Sequence, residues 1–280
     1  MTATQRIRKR ALITFVYALI LTLIGTWIYY AYRPAETCFD NWKNQDETGV
    51  DCGGVCAACP EVFAPADFVV QEAAFVPGSN PGDYDVLARV QNPNDVLGAS
   101  ELTYTFSLLG ADHSVLATVT GSGFILPQES KTFMSIGVLH TTGTPASVSI
   151  TFSGMTWKKF SGYQEKPPIT IVGKRYSELT SGPYFSEAFG TLMNDSAFDF
   201  RALLVKVILR DDTGKPIAIN QSEMDTVLTK ENREFTLKWP KAFPGKVATI
   251  DVEPDVDFFR DQSFIERYRI PEAFQQMRTK

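Results

Sequence analysis

The sequence predicts an all-β ectodomain of two tandem β-sandwiches, carried behind one N-terminal transmembrane helix and a small disulfide knot. Three observations predict this. Residues 11–32 run for 22 residues without a charge. All four cysteines lie between positions 38 and 59. The remainder of the 280 residues is short alternating stretches, and its landmarks recur about 102 positions apart.

The apolar run ALITFVYALILTLIGTWIYYAY is long enough to cross about 30 Å of hydrocarbon as a helix. Trp27, Tyr29, Tyr30 and Tyr32 cluster at one end, as amphipathic rings do at a membrane interface. A cleaved signal peptide would have an apolar core of about 7–15 residues followed by small residues. This run is longer and ends in bulky aromatics, so an uncleaved signal-anchor is expected. Arg6, Arg8, Lys9 and Arg10 precede it. They predict a cytoplasmic stub at 1–10, a membrane helix at 11–32, and an extracytoplasmic chain from Arg33 onward in a single-pass cell-membrane protein. Residues 1–33 carry +5 and the whole chain −5, which leaves −10 on the body. An acidic body with no clustered basic face argues against nucleic acid as a partner.

The segment 33–60 holds Cys38, Cys52, Cys56 and Cys59, spaced C-x13-C-x3-C-x2-C. Outside a membrane such thiols oxidise, and so short a segment cannot bury a core without staples. Two disulfides are therefore expected. A four-thiolate zinc or iron site would ordinarily show two C-x-x-C pairs, and only one is present. A redox role for Cys56 and Cys59 lacks a thioredoxin-like βαβ context. A Cys56–Cys59 bridge would close a very small ring. Cys38 is thus expected to pair with Cys56 or Cys59, and Cys52 with the other. Asn44, Asp46, Thr48 and Asp51 place oxygen donors ahead of and around Gly49, so a calcium ion is a candidate ligand there, although no Glu closes an EF-hand pattern. No other cofactor is indicated.

Beyond Pro60 the texture is β. Leu102, Tyr104, Phe106 and Leu108 alternate with Thr103, Thr105 and Ser107, which is the period of a half-buried strand. Val115, Ala117 and Val119 follow the turn Gly110–His113, giving a hairpin. Gly121-Ser122-Gly123 reads as a bend between strands. Val148 to Phe152 alternates again. The second half repeats the order: Asn92 meets Asn194, Leu126 meets Leu228, Glu129 meets Glu231, and Phe133 meets Phe235. Between Asn92 and Val115 the match slips by one, so Leu102–Leu108 align with Leu203–Leu209. The turn Arg210–Lys215 is read as one residue longer, which would restore the register where slips are tolerated. A duplication follows, with sandwiches at 61–162 and 168–262 joined near Ser161–Pro168, and a C-terminal tail, with a short helix, at 263–280. Each copy is expected to fold by itself.

Each copy is similar to the FxLYD sandwich modules, relatives of the Ig-like LEA type 2 (WHy) fold. The likeness rests on Val90–Asn94 and Leu192–Ser196, on the turns Pro127-Gln128-Glu129 and Thr229-Lys230-Glu231, and on the Phe-led strands at Phe133 and Phe235. It covers roughly residues 66–153 and 168–259, without the Leu-Tyr-Asp part of the name motif. It implies an envelope protein with no catalytic residues to carry over. The cysteine segment resembles a motif of secreted and surface proteins, mostly bacterial, C-x-D-G-x-x-N-x-x-E-T-x-x-D-C-G-G-x-C-x-x-C. Cys38, Asp40, Asn44, Glu47, Thr48, Asp51, Cys52, Gly53, Gly54, Cys56 and Cys59 match, and Asn41 stands where Gly is usual. This likeness implies a disulfide knot without activity.

Catalytic signatures are sparse. There are two histidines, His113 in a predicted turn and His140 after a strand. No G-x-S-x-G, phosphate-cradling glycine loop or H-E-x-x-H occurs. Of the sequons at Asn194 and Asn220, Asn194 doubles as a turn asparagine. The expected function is non-catalytic: a membrane-anchored structural or interaction protein that binds or scaffolds envelope or secretion-machine components. The alternatives are a surface hydrolase with an unrecognised site and a calcium- or metal-binding surface module.

Overall fold

The computed structural model describes residues 3–32, 37–59, 64–160, 162–163 and 165–268. Residues 1–64 and 65–280 form two separate units.

The first unit opens with α1, Ala3–Tyr32. The helix runs back beyond the predicted span through the basic stub, whose Ala, Gln, Arg and Lys are all good helix formers. Arg8–Tyr32 is long and apolar enough to cross a membrane. Thr14, Thr22 and Thr26 donate their hydroxyls to carbonyls one turn back, which hides those groups within the helix.

The second unit carries β1 (Val69–Pro77), β2 (Asp83–Gln91), β3 (Leu97–Leu109), β4 (Val115–Ile125), β5 (Ser130–His140) and β6 (Ser147–Lys159). Then follow β7 (Ile169–Glu178), β8 (Ser186–Asn194), β9 (Phe200–Arg210), β10 (Pro216–Val227), β11 (Asn232–Trp239) and β12 (Thr249–Asp255). A 3-10 turn, Phe258–Arg260, leads into α2, Gln262–Arg267. All pairings are antiparallel. The first six strands make sheets β1-β2-β5 and β4-β3-β6; the last six make β7-β8-β11 and β10-β9-β12. The two halves thus have one strand order.

The repeat extends to hydrogen bonds. Asn92 Nδ2 donates to Leu97 O and Leu126 O, and Asn194 Nδ2 to Phe198 O and Leu228 O. Glu129 accepts from the Leu126 amide, and Glu231 from the Leu228 amide. Gln128 and Lys230 take the same left-handed backbone, φ 55° and 62°. Asn194 is buried, so its amide is a structural cross-tie and offers no sugar-acceptor surface.

The compensating slip does not lie in the β9–β10 turn. The Gly110 amide bonds Ser114 O and the Asp211 amide bonds Lys215 O, so the two turns have equal length. The halves stay one residue out of step along β4 and β10. They come back between Met224 and Val227, because β3 bulges between Ala99 and Leu102 in the first half only. A bulge absorbs an extra residue without turning a whole strand over. Gly121 and Gly123 are likewise no bend; they lie within β4. A Cβ on Gly121 would stand 2.4 Å from the Tyr104 ring, so glycine makes room for that ring.

The four sheets stack face to face in the order β4-β3-β6, β1-β2-β5, β10-β9-β12, β11-β8-β7. Val86, Val90, Phe106 and Ile150 fill the first gap. Leu87, Met134, Ile208 and Ile219 fill the second, between the halves. Leu192, Val205, Phe235 and Phe258 fill the third. The inner strands β2 and β9 are buried on both faces, so Val205–Leu209 is buried at every residue. Phe264 of α2 is fully buried in the last core, so this part of the tail is integral to the second half. Residues 269–280 of the predicted tail lie outside the described residues.

The outer face of β4-β3-β6 is a three-by-three array of hydroxyls: Thr118, Thr120 and Ser122; Thr103, Thr105 and Ser107; Ser149, Thr151 and Ser153. The matching face of the second half carries Ile219, Gln221 and Glu223; Leu204, Lys206 and Ile208; Asp251, Glu253 and Asp255. That second face is the one docked on the first half. The polar array caps the stack, as a terminal repeat must where its face meets water. Replacing Ser107 and Thr118 by Ile, the residues of the docked copy, should raise the apparent mass of the purified full chain by light scattering relative to wild type. An unchanged mass would show that the array is not what limits stacking.

Candidate functional site

The cysteine segment forms the predicted knot of two disulfides. Cys38 is bonded to Cys56 and Cys52 to Cys59. Around these bonds the polar side chains serve the backbone. Asp51 accepts the amides of Asp40 and Asn41, and Glu47, which is buried, accepts those of Asn44 and Asp51. Asn44 Nδ2 donates to Asp40, and this bond with the Thr37 amide holds the Asp40 carboxyl below its usual range. Asn41 has φ 60°, and Gly53 is also left-handed, with no room for a Cβ beside Thr48. Of the predicted calcium donors, Asp51 is thus occupied by amides, and Thr48 Oγ1 lies 3.3 Å from Cys59 Sγ. Among the described residues, Cys38, Glu47 and Cys56 cluster within 4.8 Å, but both sulfurs are in disulfides. The arrangement is a chemistry of staples and caps in a segment without a core; Phe39 and Trp42 remain 91% and 75% exposed.

The chemistry that sequence reading missed lies between the two halves. Lys206 of β9 donates to Asp255 Oδ2 at 2.5 Å and to Thr132 O at 2.6 Å. Lys131 Nζ of β5 lies 2.7 Å from Asp255 Oδ1, without hydrogen-bond geometry, and 3.0 Å from the centre of the Phe124 ring. All three charged groups are buried, with Lys131 only 2% exposed. Burial alone would raise the Asp255 pKa; Lys131 and Lys206 outweigh it and hold the carboxyl well below its usual range. Burial lowers the Lys131 pKa, against the pull of Asp255. Beside them Glu253 of β12 accepts the Thr132 amide and hydroxyl. Further along, Arg210 forks onto both oxygens of Glu72 at 2.6 and 2.8 Å and also bonds Asp251. Lys166, from the segment joining the halves, bonds buried Glu129 at 2.6 Å.

The seam opens into a cavity of about 800 Å³. Residues from β3, β4, β5 and β6 form one wall, and residues from β9, β10, the end of β12 and the 3-10 turn form the other. Lys131, Lys206 and Asp255 stand at its lining, with Lys158 and Tyr104. Burial, with Asp255 nearby, raises the Tyr104 pKa.

The two histidines take structural places. His113 is exposed in the β3–β4 turn with φ 62°. His140 Nδ1 lies 2.8 Å from Asp83, which also accepts from Asn80, so the pair fastens a strand end. No protein-family model and no curated protein matches the sequence.

Two outcomes follow. Asp255→Asn leaves two buried ammoniums without their counter-charge and should cost about 3–5 kcal/mol in a urea melt of the full chain. The pH sign is fixed by the depressed Asp255 pKa: its stabilisation is present above the unfolded carboxylate value of about 3.9 and is lost as pH falls toward the folded value. Wild type should show this acid-sensitive component and Asp255→Asn should lack it. In the knot, Cys38→Ser opens an 18-residue separation and should remove roughly 3 kcal/mol from that segment, while hydrogen exchange of residues 65–280 stays unchanged.

Proposed function

We propose that the chain is a single-pass membrane protein whose extracytoplasmic body is a rigid, non-catalytic module for binding or scaffolding other envelope or secretion-machine components. The observation that carries the reading is the pairing of one membrane-length helix with a duplicated sandwich body whose buried charges fasten sheet to sheet. The basic residues in the first turns of α1, ahead of its apolar run, favour a cytoplasmic N-terminus. A disulfide-stapled segment follows the helix, and an oxidising compartment suits it. The likeness of the two copies to envelope sandwich modules supports the same assignment. A body of stacked sheets holds its surfaces in fixed relation, which suits a scaffold.

Protease added to intact, wall-stripped cells tests the topology. An epitope fused after Lys280 should be removed, while one fused before Met1 should be protected. Protection of the C-terminal epitope would overturn the reading.

A further inference from the structure

The disulfide knot follows α1 closely in the chain. An extended chain gains at most about 3.6 Å per residue, so Phe39 is tethered within about 25 Å of Tyr32 and Trp42 within about 36 Å. Both side chains are exposed, 91% and 75%, and the knot has no core to receive them. Among the described residues outside α1, the only other exposed aromatic is Tyr184, at 40%. Two bare rings close to a membrane-length helix mark an interaction surface.

The loop that carries them can leave water at little cost. Asp51 accepts the amides of Asp40 and Asn41, each at 2.9 Å, and Asp40 accepts that of Trp42 at 2.9 Å. An amide without a partner is what ordinarily makes a loop costly to bring out of water. Asn41 holds the turn with left-handed backbone, and the bonds Cys38–Cys56 and Cys52–Cys59 staple its base. Little conformational freedom then remains to be lost on docking. Tryptophan favours the headgroup level, where its ring meets an apolar layer and its N–H stays wet. Residues 37–59 carry Asp40, Asp46, Glu47 and Asp51 against Lys43, a net charge of −3, so anionic headgroups would repel the knot and neutral ones suit it.

We propose that the loop Phe39–Trp42 is a second membrane anchor, which seats both aromatic rings among the neutral headgroups of the bilayer that α1 spans. The knot is then held at the surface in two places, by the helix and by the loop. The inference rests on the reading of α1 as a membrane helix.

Two single-tryptophan forms of the full-length chain are placed in phosphatidylcholine nanodiscs with ordinary or brominated acyl chains. One keeps Trp42 (Trp27→Phe, Trp157→Phe, Trp239→Phe) and the other keeps Trp27 (Trp42→Phe, Trp157→Phe, Trp239→Phe). With the rings seated about 5–10 Å into the headgroup and acyl boundary, bromine should quench both tryptophans by roughly a third or more. Phe39→Ser removes one of the two rings and should reduce Trp42 quenching by about half or more. The difference between wild-type and Trp42→Phe emission gives the same readout if a multiple variant does not fold. Quenched Trp27 with unquenched Trp42 would overturn the loop anchor and leave the membrane helix standing; quenching of neither would overturn both. Trp42 emission that is blue-shifted but unquenched would seat the loop against protein, and would overturn the proposal. So would quenching that Phe39→Ser leaves unchanged, since the tether alone would then account for it.

Discussion

One carboxylate, Asp255, sits between two lysines from different halves of a duplicated chain, and the architecture of residues 65–280 turns on that contact. Lys206 and Asp255 lie on neighbouring strands of the second half; Lys131 comes from the first. Any rotation of one half against the other would leave buried charges unpaired, and that penalty exceeds what the same atoms contribute when paired. The apolar patch of Leu87, Met134, Ile208 and Ile219 supplies area but little direction. The charged set supplies direction: it permits one register of sheet on sheet.

Duplication explains how such a seam can arise. Each copy has an equivalent outer sheet face, and only the second copy's is docked on the other half. In the second copy that face carries isoleucines, a lysine and acids; in the first it carries nine hydroxyls. The opposite free face shows the same shift, with Thr236 and Lys238 on β11 where β5 has Met134 and Ile136. A head-to-tail contact that does not close propagates. Polar end faces remove the drive to propagate and leave a finite body.

Much of this was legible in the chain. The period-two stretches gave the strands, the 102-residue recurrence gave the duplicated order, and the cysteine spacing narrowed the disulfides to two pairings, one of which the structure adopts. The bulge at Ala99–Leu102 was not legible, because a repeat alignment shows that a residue is gained but not whether a turn or a strand absorbs it. The seam was hidden for a related reason. Lys206 interrupts the apolar run Leu203–Leu209, a visible oddity, but a lysine in a strand ordinarily points to water. Only the packing of a second sheet over β9 turns it into a buried charge, and its partners lie 49 and 74 positions away.

With its buried charges shared across the seam, the pair of sandwiches should unfold as one body. Trp157 reports on the first half and Trp239, buried and bonded to Ile219 O, on the second. Urea melts of Trp157→Phe and Trp239→Phe, each in a Trp27→Phe/Trp42→Phe background that leaves one tryptophan, are followed by fluorescence and by circular dichroism. Fluorescence and circular dichroism should give one midpoint within each variant, whichever half is being watched. Two resolved midpoints in either variant, with one half melting while the other stays folded, would contradict it.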